Sequence, residues 1–421
     1  MNTSSAPLLK VGIFSDIQAL PSRHDWGMYN FAKALEIFRE KEVDLLVNAG
    51  DLAEGGDPET YALYWQLIEE AFPGKMPEHT ACEGNHDCNG KAPFKEAFAK
   101  VCKNLRRECV NPEHRVIKGY DFITFATYDR IHYAEEELPA LEKALQKASE
   151  RAPEKPVFVI THFPPAETVS GSFDSGSEGL KRVLQKFPQA VSLSGHTHYP
   201  LKDERTIWQG EFTAIETSTL AYGCMTEEKC FNTVNGILPF AREVTECLYL
   251  EIFEDRMEFH RYNTTDRREV GPVWKTALPF VPGKGEYTAA RAEKRQAPRF
   301  AEDAAVLLRY DYGYAYIIFD RCTQGDFAHF YDVEFSLFDE ENGSWEEPVC
   351  YRYCGDFYRF ECNQQDKLYF KLPETLKEGR LCRFRVYGVE SFGKRGAPLE
   401  MECRLWKGYR FKEAAGLYPQ E

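Results

Sequence analysis

Through the first 200 residues, short apolar runs of β type alternate with stretches whose apolar positions recur at helical spacing, the pattern of a layered α/β domain. Residues 8–14, 43–47, 157–160 and 190–193 are predicted as buried strands, and 29–41 and 60–71 as amphipathic helices. Residues 119–128 alternate as a further strand, followed by a helix over 138–147. Five polar motifs each end an apolar run: Asp16-Ile17-Gln18, Gly50-Asp51, Gly84-Asn85-His86-Asp87, Thr161-His162-Phe163 and Gly195-His196-Thr197-His198. Asp51 lies 35 residues after Asp16, Asn85 34 after Asp51, and His196 34 after His162. Each interval fits one strand–helix–strand unit of about 30 residues or more. Ligands of open α/β sheets gather beyond the carboxyl ends of the strands, so this spacing predicts that the motifs meet at one rim of one sheet.

Beyond residue 270 the pattern changes. Pro272, Pro279, Pro282, Gly283 and Gly285 precede a charged stretch through Arg295, the composition of a boundary loop. Short aromatic-rich β segments follow, at 315–319, 331–337, 367–372 and 383–389, with a hairpin turn expected at Glu340-Glu341-Asn342-Gly343. The expected division is a catalytic domain over 1–275, a linker over 276–297, and an all-β sandwich with its tail over 298–421. A chain of 421 residues exceeds the roughly 250 to 300 at which a single core stops growing, which also argues for two domains.

The formal charge of −15 is spread along the chain without a Lys/Arg stripe, which speaks against long nucleic acids as partners. No run approaches the roughly 18 to 20 apolar residues of a membrane span, so no membrane partner is expected. Residues 1–10 carry no apolar leader run, and none of the 13 cysteines forms a Cys-x-x-Cys pair. Free thiols and a cytoplasmic setting are the expectation.

The motifs supply carboxylates, amides and imidazoles in the amounts that two adjacent transition-metal ions require for activating water against a phosphate ester. Asp51 follows a glycine, whose missing side chain is expected to let the backbone approach an ion, and its carboxylate is placed to bridge both cations. Asp16 and His198 are assigned to one ion, and Asn85, His162 and His196 to the other. Gln18, two residues from Asp16, is expected to share its face, as in an extended segment. Oxygen and imidazole ligation without thiolate suits manganese, iron or zinc. His86 is left for proton chemistry at the leaving-group oxygen, with Asp87 expected to orient its ring. The plain alternative is that Asp16 and Asp51 are helix N-caps. His24, His79, His114, His132 and His260 match no motif, although His24, in the loop after the first strand, could touch substrate.

These motifs, in this order, resemble the calcineurin-like metallophosphoesterases, whose pattern is Asp-x-His, Gly-Asp, Gly-Asn-His-Asp or Glu, a lone His, and Gly-His-x-His. The resemblance runs from about Leu9 to Arg261 and includes Thr161-His162-Phe163-Pro164-Pro165. It implies two mixed β-sheets packed face to face with helices outside, two divalent transition-metal ions, a bridging Asp51, the ligand division given above, and His86 in catalysis. Gln18 stands where the family usually has histidine, as in a subset that cleaves nucleotide diphosphate linkages, and its amide oxygen favours a harder ion such as manganese. An arginine clamp soon after Asp51 would mark a protein phosphatase, and a tyrosine at position 54 a purple acid phosphatase. The chain has Leu52-Ala53-Glu54-Gly55-Gly56 instead. The reading is hydrolysis of a small phosphodiester or nucleotide-type diphosphate by a hydroxide held between the ions. The alternatives are a phosphomonoesterase and a scaffold on a decayed phosphoesterase fold. The segments 301–306 and 384–389 near the ends of the β region resemble a fibronectin type III domain.

Overall fold

The computed structural model describes residues 6–88, 94–126, 133–311, 314–373 and 379–405. The end of the strand expected at 119–128, His132 and the tail from 406 onward lie outside these. The chain divides into two compact units, Met1–Glu227 with Phe240–Arg291, and Glu228–Pro239 with Ala292–Glu421.

In the first unit the order is β1 Leu9–Phe14, α1 Trp26–Glu40, β2 Leu45–Asn48, α2 Pro58–Ala71, β3 Glu78–Ala81, α3 Phe94–Asn104, β4 Glu113–Ile117 and β5 Tyr120–Thr124. It continues with α4 Leu138–Arg151, β6 Val157–Ile160, α5 Ser172–Ser175, α6 Glu178–Leu184, β7 Ala190–Ser194, β8 Ile207–Gln209, β9 Thr213–Glu216, β10 Glu246–Ile252, β11 Arg256–Asn263 and β12 Trp274–Ala277. These strands form two mixed six-stranded sheets, β12-β11-β10-β1-β2-β3 and β4-β5-β6-β7-β9-β8. Alternation along the strands explains the layering. Val11 and Ile13 of β1, Leu45 and Val47 of β2, Phe158 and Ile160 of β6, and Val191 and Leu193 of β7 share one core between the sheets. The opposite faces meet helices: Phe14 and Leu46 join the apolar sides of α1 and α2, whereas Val157 and Val159 join those of α4 and α6. Gly12 is required here, since a Cβ would fall 2.7 Å from the Phe38 ring of α1.

Two expectations are corrected. The motif-bearing strands belong to two sheets, β1, β2 and β3 to one and β6 and β7 to the other, so the motifs meet where two sheet ends face each other. Helix capping falls to other residues than Asp16 and Asp51: Asp25 accepts the Gly27 and Met28 N–H groups at the start of α1, and Asp57 that of Glu59 ahead of α2.

The second unit contains β13 Val306–Asp311, β14 Tyr314–Asp320, β15 Phe330–Asp339, β16 Ser344–Trp345, β17 Val349–Cys354, β18 Lys367–Lys371, β19 Leu381–Val389 and β20 Leu399–Arg404. All their pairings are antiparallel. One sheet is β13-β14-β18, and the other joins β16, β15, β19 and β20, with β17 also on β15. Ile317, Phe319, Val333, Phe370, Phe384 and Val386 are among the residues of the core that the sheets enclose as a sandwich. The hairpin expected at 340–343 joins Asp339 to Ser344. Phe231, from the segment 228–239, belongs to this unit, where its ring meets Tyr351 and Tyr353 and its N–H donates to the Arg352 carbonyl at 2.7 Å.

No helix among the described residues is long and apolar enough to cross a membrane. None of the cysteines is in a disulfide.

Candidate metal centre

The motif residues turn inward by an uncommon backbone choice. Asp16, Gln18, Asp51, His196 and His198 all have φ between 45° and 72°, a region that costs non-glycine residues about 1 to 2 kcal/mol each. Gln18 therefore reaches the Asp16 neighbourhood from a left-handed turn and not along an extended strand.

Three glycines make room for side chains from other motifs. A Cβ on Gly50 would lie 2.5 Å from His162 Nδ1, one on Gly84 2.0 Å from Asp51 Oδ1, and one on Gly195 2.4 Å from Asp16 Oδ2. The His162 ring packed against Gly50 and its φ of 101° each call for a glycine before Asp51.

Asp16 and Asp51 are 0% and 1% exposed. Oxygen atoms of both and a ring nitrogen of His162 all lie within 4.8 Å of one another. Asp16 accepts from Ser15 Oγ at 2.5 Å, which in turn accepts from Thr217 Oγ1 at 2.7 Å, and from the His196 N–H at 3.0 Å. Asp51 accepts from the His86 N–H at 2.8 Å and from Gln18 Nε2 at 3.2 Å. The Gln18 amide nitrogen, 3.3 Å from His198 Nε2 as well, faces the centre in this state, and a half-turn of the amide presents its oxygen instead.

The imidazoles are held as metal-binding histidines usually are, with one nitrogen tied to a carbonyl and the other free toward the site. His162 Nδ1 meets the Ala49 carbonyl at 2.9 Å and His198 Nδ1 that of Tyr222 at 2.8 Å. His162 Nε2 is then 3.2 Å from Asp51 Oδ2 and 3.1 Å from Asn85 Oδ1, and His198 Nε2 is 3.1 Å from Asp16 Oδ1. The His196 ring stands 5.1 Å from that of His162 and 4.3 Å from that of Phe163. Burial disfavours charge on His162, yet the Asp51 carboxylate outweighs it and raises the pKa to about 9. His198 is raised likewise, burial being outweighed by Asp16. His196, where burial and its His162 neighbour dominate, falls to about 3. Among the described residues no lysine or arginine pairs with Asp16 or Asp51, and the cationic form of His162 and of His198 is favoured by the carboxylate beside each. Two such carboxylates without a guanidinium, ringed by imidazole and amide groups, fit a pair of divalent cations.

His86 stands at the edge. Its Nε2 is 3.9 Å from Asp51 Oδ2 and its Nδ1 is 2.7 Å from Glu54 Oε2. Glu54 thus orients the ring, the task expected of Asp87. Asp87 accepts instead from the Leu52, Ala53 and Gly84 N–H groups and from the Tyr61 hydroxyl at 2.7 to 3.0 Å, clamping the second motif to the third. Burial first, then Asp51, pushes its pKa up to about 6. Glu54 had one sequence signal, its position three residues after Asp51. The Ser15–Thr217 relay had none. His24 is exposed two residues before α1, His79 is half-buried against Tyr64 and His114 pairs with Asp121.

A model described as calcineurin-like phosphoesterase matches residues 9–200, which include every motif above. This part of the chain belongs to that family, and its class is metal-dependent phosphoric ester hydrolase. No curated protein matches. Among solved structures the chain is similar to a dimetal phosphatase from Danio rerio, with 10% identity, 64% of this chain and 99% of that one covered, and a TM-score of 0.47. It is also similar to a purple acid phosphatase from yellow lupin seeds, with 15% identity, coverage of 64% and 53%, and a TM-score of 0.46. Vacuolar protein sorting 29 from Cryptosporidium parvum matches with 10% identity, coverage of 64% and 96%, and a TM-score of 0.31.

Proposed function

We propose that the protein hydrolyses a small phosphodiester or a nucleotide-type diphosphate at a pair of divalent ions, with manganese preferred. Asp16, Gln18 and His198 would hold the first ion, Asn85, His162 and His196 the second, and Asp51 both. When bound, such ions supply an activated water and neutralise charge on the phosphoryl oxygens. His86 serves the departing oxygen: Glu54 holds its Nδ1 at 2.7 Å and so directs Nε2 toward the leaving group. The Ser15–Thr217 relay and the His196 N–H fix Asp16, so that its oxygens need no reorganisation when charge changes nearby.

The observation that carries the substrate preference is Glu54 at 2.7 Å from His86, with no lysine or arginine paired to Glu54, Asp16 or Asp51 among the described residues. A dianionic monoester would meet that carboxylate with more repulsion than a monoanionic diester, or than each phosphate of an internal diphosphate. A screen of a nitrophenyl phosphodiester against the matching monoester, with manganese, iron, zinc and magnesium, tests this. The diester is expected to be cleaved with the higher kcat/KM, most strongly with manganese. A monoester preference would overturn the substrate reading, and silence with every metal at verified occupancy would leave a scaffold.

A further inference from the structure

Tyr222 was not among the motif residues, yet it is built into the same centre. Its carbonyl is the acceptor that fixes His198, and its N–H donates to Thr219 Oγ1 at 3.3 Å. Thr219 Oγ1 itself donates to the Asp16 carbonyl at 3.2 Å. The backbone of residue 222 is therefore tied to two of the proposed ligands. Its ring packs on His198, with centroids 4.6 Å apart and planes at 44°. The half-buried phenol lies within electrostatic reach of the Asp16, Asp51 and Glu54 carboxylates; burial first, then Cys224 and these groups, disfavours its ionisation. No hydrogen bond to the hydroxyl is found among the described residues. A half-buried donor on a rigid tether, its ring on one proposed ligand and its hydroxyl without a bond among the described residues, is a group suited to a partner outside the protein.

We propose that the Tyr222 hydroxyl donates a hydrogen bond to a phosphoryl oxygen of the substrate, as a neutral clamp in a site where no arginine or lysine pairs with the carboxylates among the described residues. This rests on the phosphoesterase reading above. A phenol O–H is protonated at any ordinary working pH and adds no charge, so it favours a singly charged phosphodiester without the pull on a dianion that a guanidinium exerts.

Tyr222→Phe tests this, because it keeps the ring on His198 and removes only the hydroxyl. On the manganese-loaded protein, kcat/KM for the phosphodiester is expected to fall about 10- to 100-fold, the usual effect of losing a hydrogen bond to a charged group. Binding of inorganic phosphate, followed by calorimetry, weakens by a similar factor, while manganese content and affinity are unchanged. Turnover and phosphate affinity equal to wild type would overturn the proposal. A parallel loss of manganese would also overturn it, since the residue would then act by positioning His198. A wild-type chain that is inactive at verified metal occupancy would instead remove the function reading on which the proposal stands.

Discussion

The two units handle a buried carboxylate in opposite ways. In the β-sandwich unit Asp332, 1% exposed, meets two guanidiniums, with Arg352 Nε at 2.8 Å and Arg395 Nη2 at 2.6 Å. In the catalytic unit Asp16 and Asp51 are as deeply buried, but their partners are imidazoles, an amide, a hydroxyl and backbone N–H groups. A carboxylate neutralised by arginine is finished as a structural element. One left to titratable or neutral neighbours keeps room for a removable cation. The backbones differ in the same sense. Six left-handed non-glycine residues, Asp16, Gln18, Asp51, His196, His198 and Ser218, lie at or beside the centre, whereas the second unit has Lys229 and Asn235 in its segment 228–239 and, among the described residues from 292 to 405, only glycines with positive φ. Strained residues gathered around buried carboxylates that have imidazole partners in place of arginine mark a part of the molecule under functional demand.

The largest effect should come from the proton donor. His86→Ala is expected to lower turnover by about 100- to 10,000-fold with metal content unchanged, measured by steady-state kinetics and elemental analysis of the same sample. Loss of both metals with activity would make His86 a ligand or a structural residue. The carboxylates themselves can then be set against each other. Asp332→Asn leaves Arg352 without its carboxylate and Arg395 with Glu334 alone, at 2.8 Å, and should cost about 2 to 3 kcal/mol in denaturant unfolding, less than a fully buried pair because both guanidiniums keep contact with water. Manganese binding and hydrolysis should stay at wild-type levels.

A subtler pair concerns the glycines. Gly195→Ala pushes a methyl against Asp16 and should weaken metal affinity about 10- to 100-fold, as disturbing a ligand's support usually does. Gly343→Ala, with φ of 63° and nothing within 4 Å of the added Cβ, should cost about 1 to 2 kcal/mol of stability and leave metal affinity alone. Calorimetric titration with manganese and chemical denaturation separate the two, and equal metal affinities would erase the contrast. The smallest effect is assigned to Glu54→Gln, which keeps a hydrogen bond to His86 but loses its charge. Turnover should drop about three- to tenfold, and the preference for diester over monoester should narrow. An unaltered preference would remove Glu54 from substrate selection.

Much of this was legible along the chain because local periodicity carried it. The strand expected at 157–160 is observed at those residues, since an unbroken apolar run buried on both faces has no other good arrangement. The helix over 60–71 begins only two residues earlier, at a proline following Asp57. Pairing was not legible. Parallel β-strand units of the same period build both sheets, so spacing could not tell one rim from two facing ones. Contacts across long separations were also hidden: Glu54 with His86, Ser15 with Thr217, and Tyr222 with His198 each join residues with no pattern linking them. The glycines before Asp51, Asn85 and His196 were visible, but their purpose was not, because each makes space for a side chain from a different motif.

The central claim is that two buried carboxylates paired with imidazoles, and with no arginine or lysine partner among the described residues, make this a two-metal site, and counting divalent ions per chain tests it most directly. Wild-type protein equilibrated with manganese and analysed after removal of excess metal should retain two ions, and Asp51→Asn, which takes away the carboxylate proposed to be shared between them, should retain fewer. A wild-type chain that holds none, or an Asp51→Asn chain that holds as many as wild type, would contradict the account.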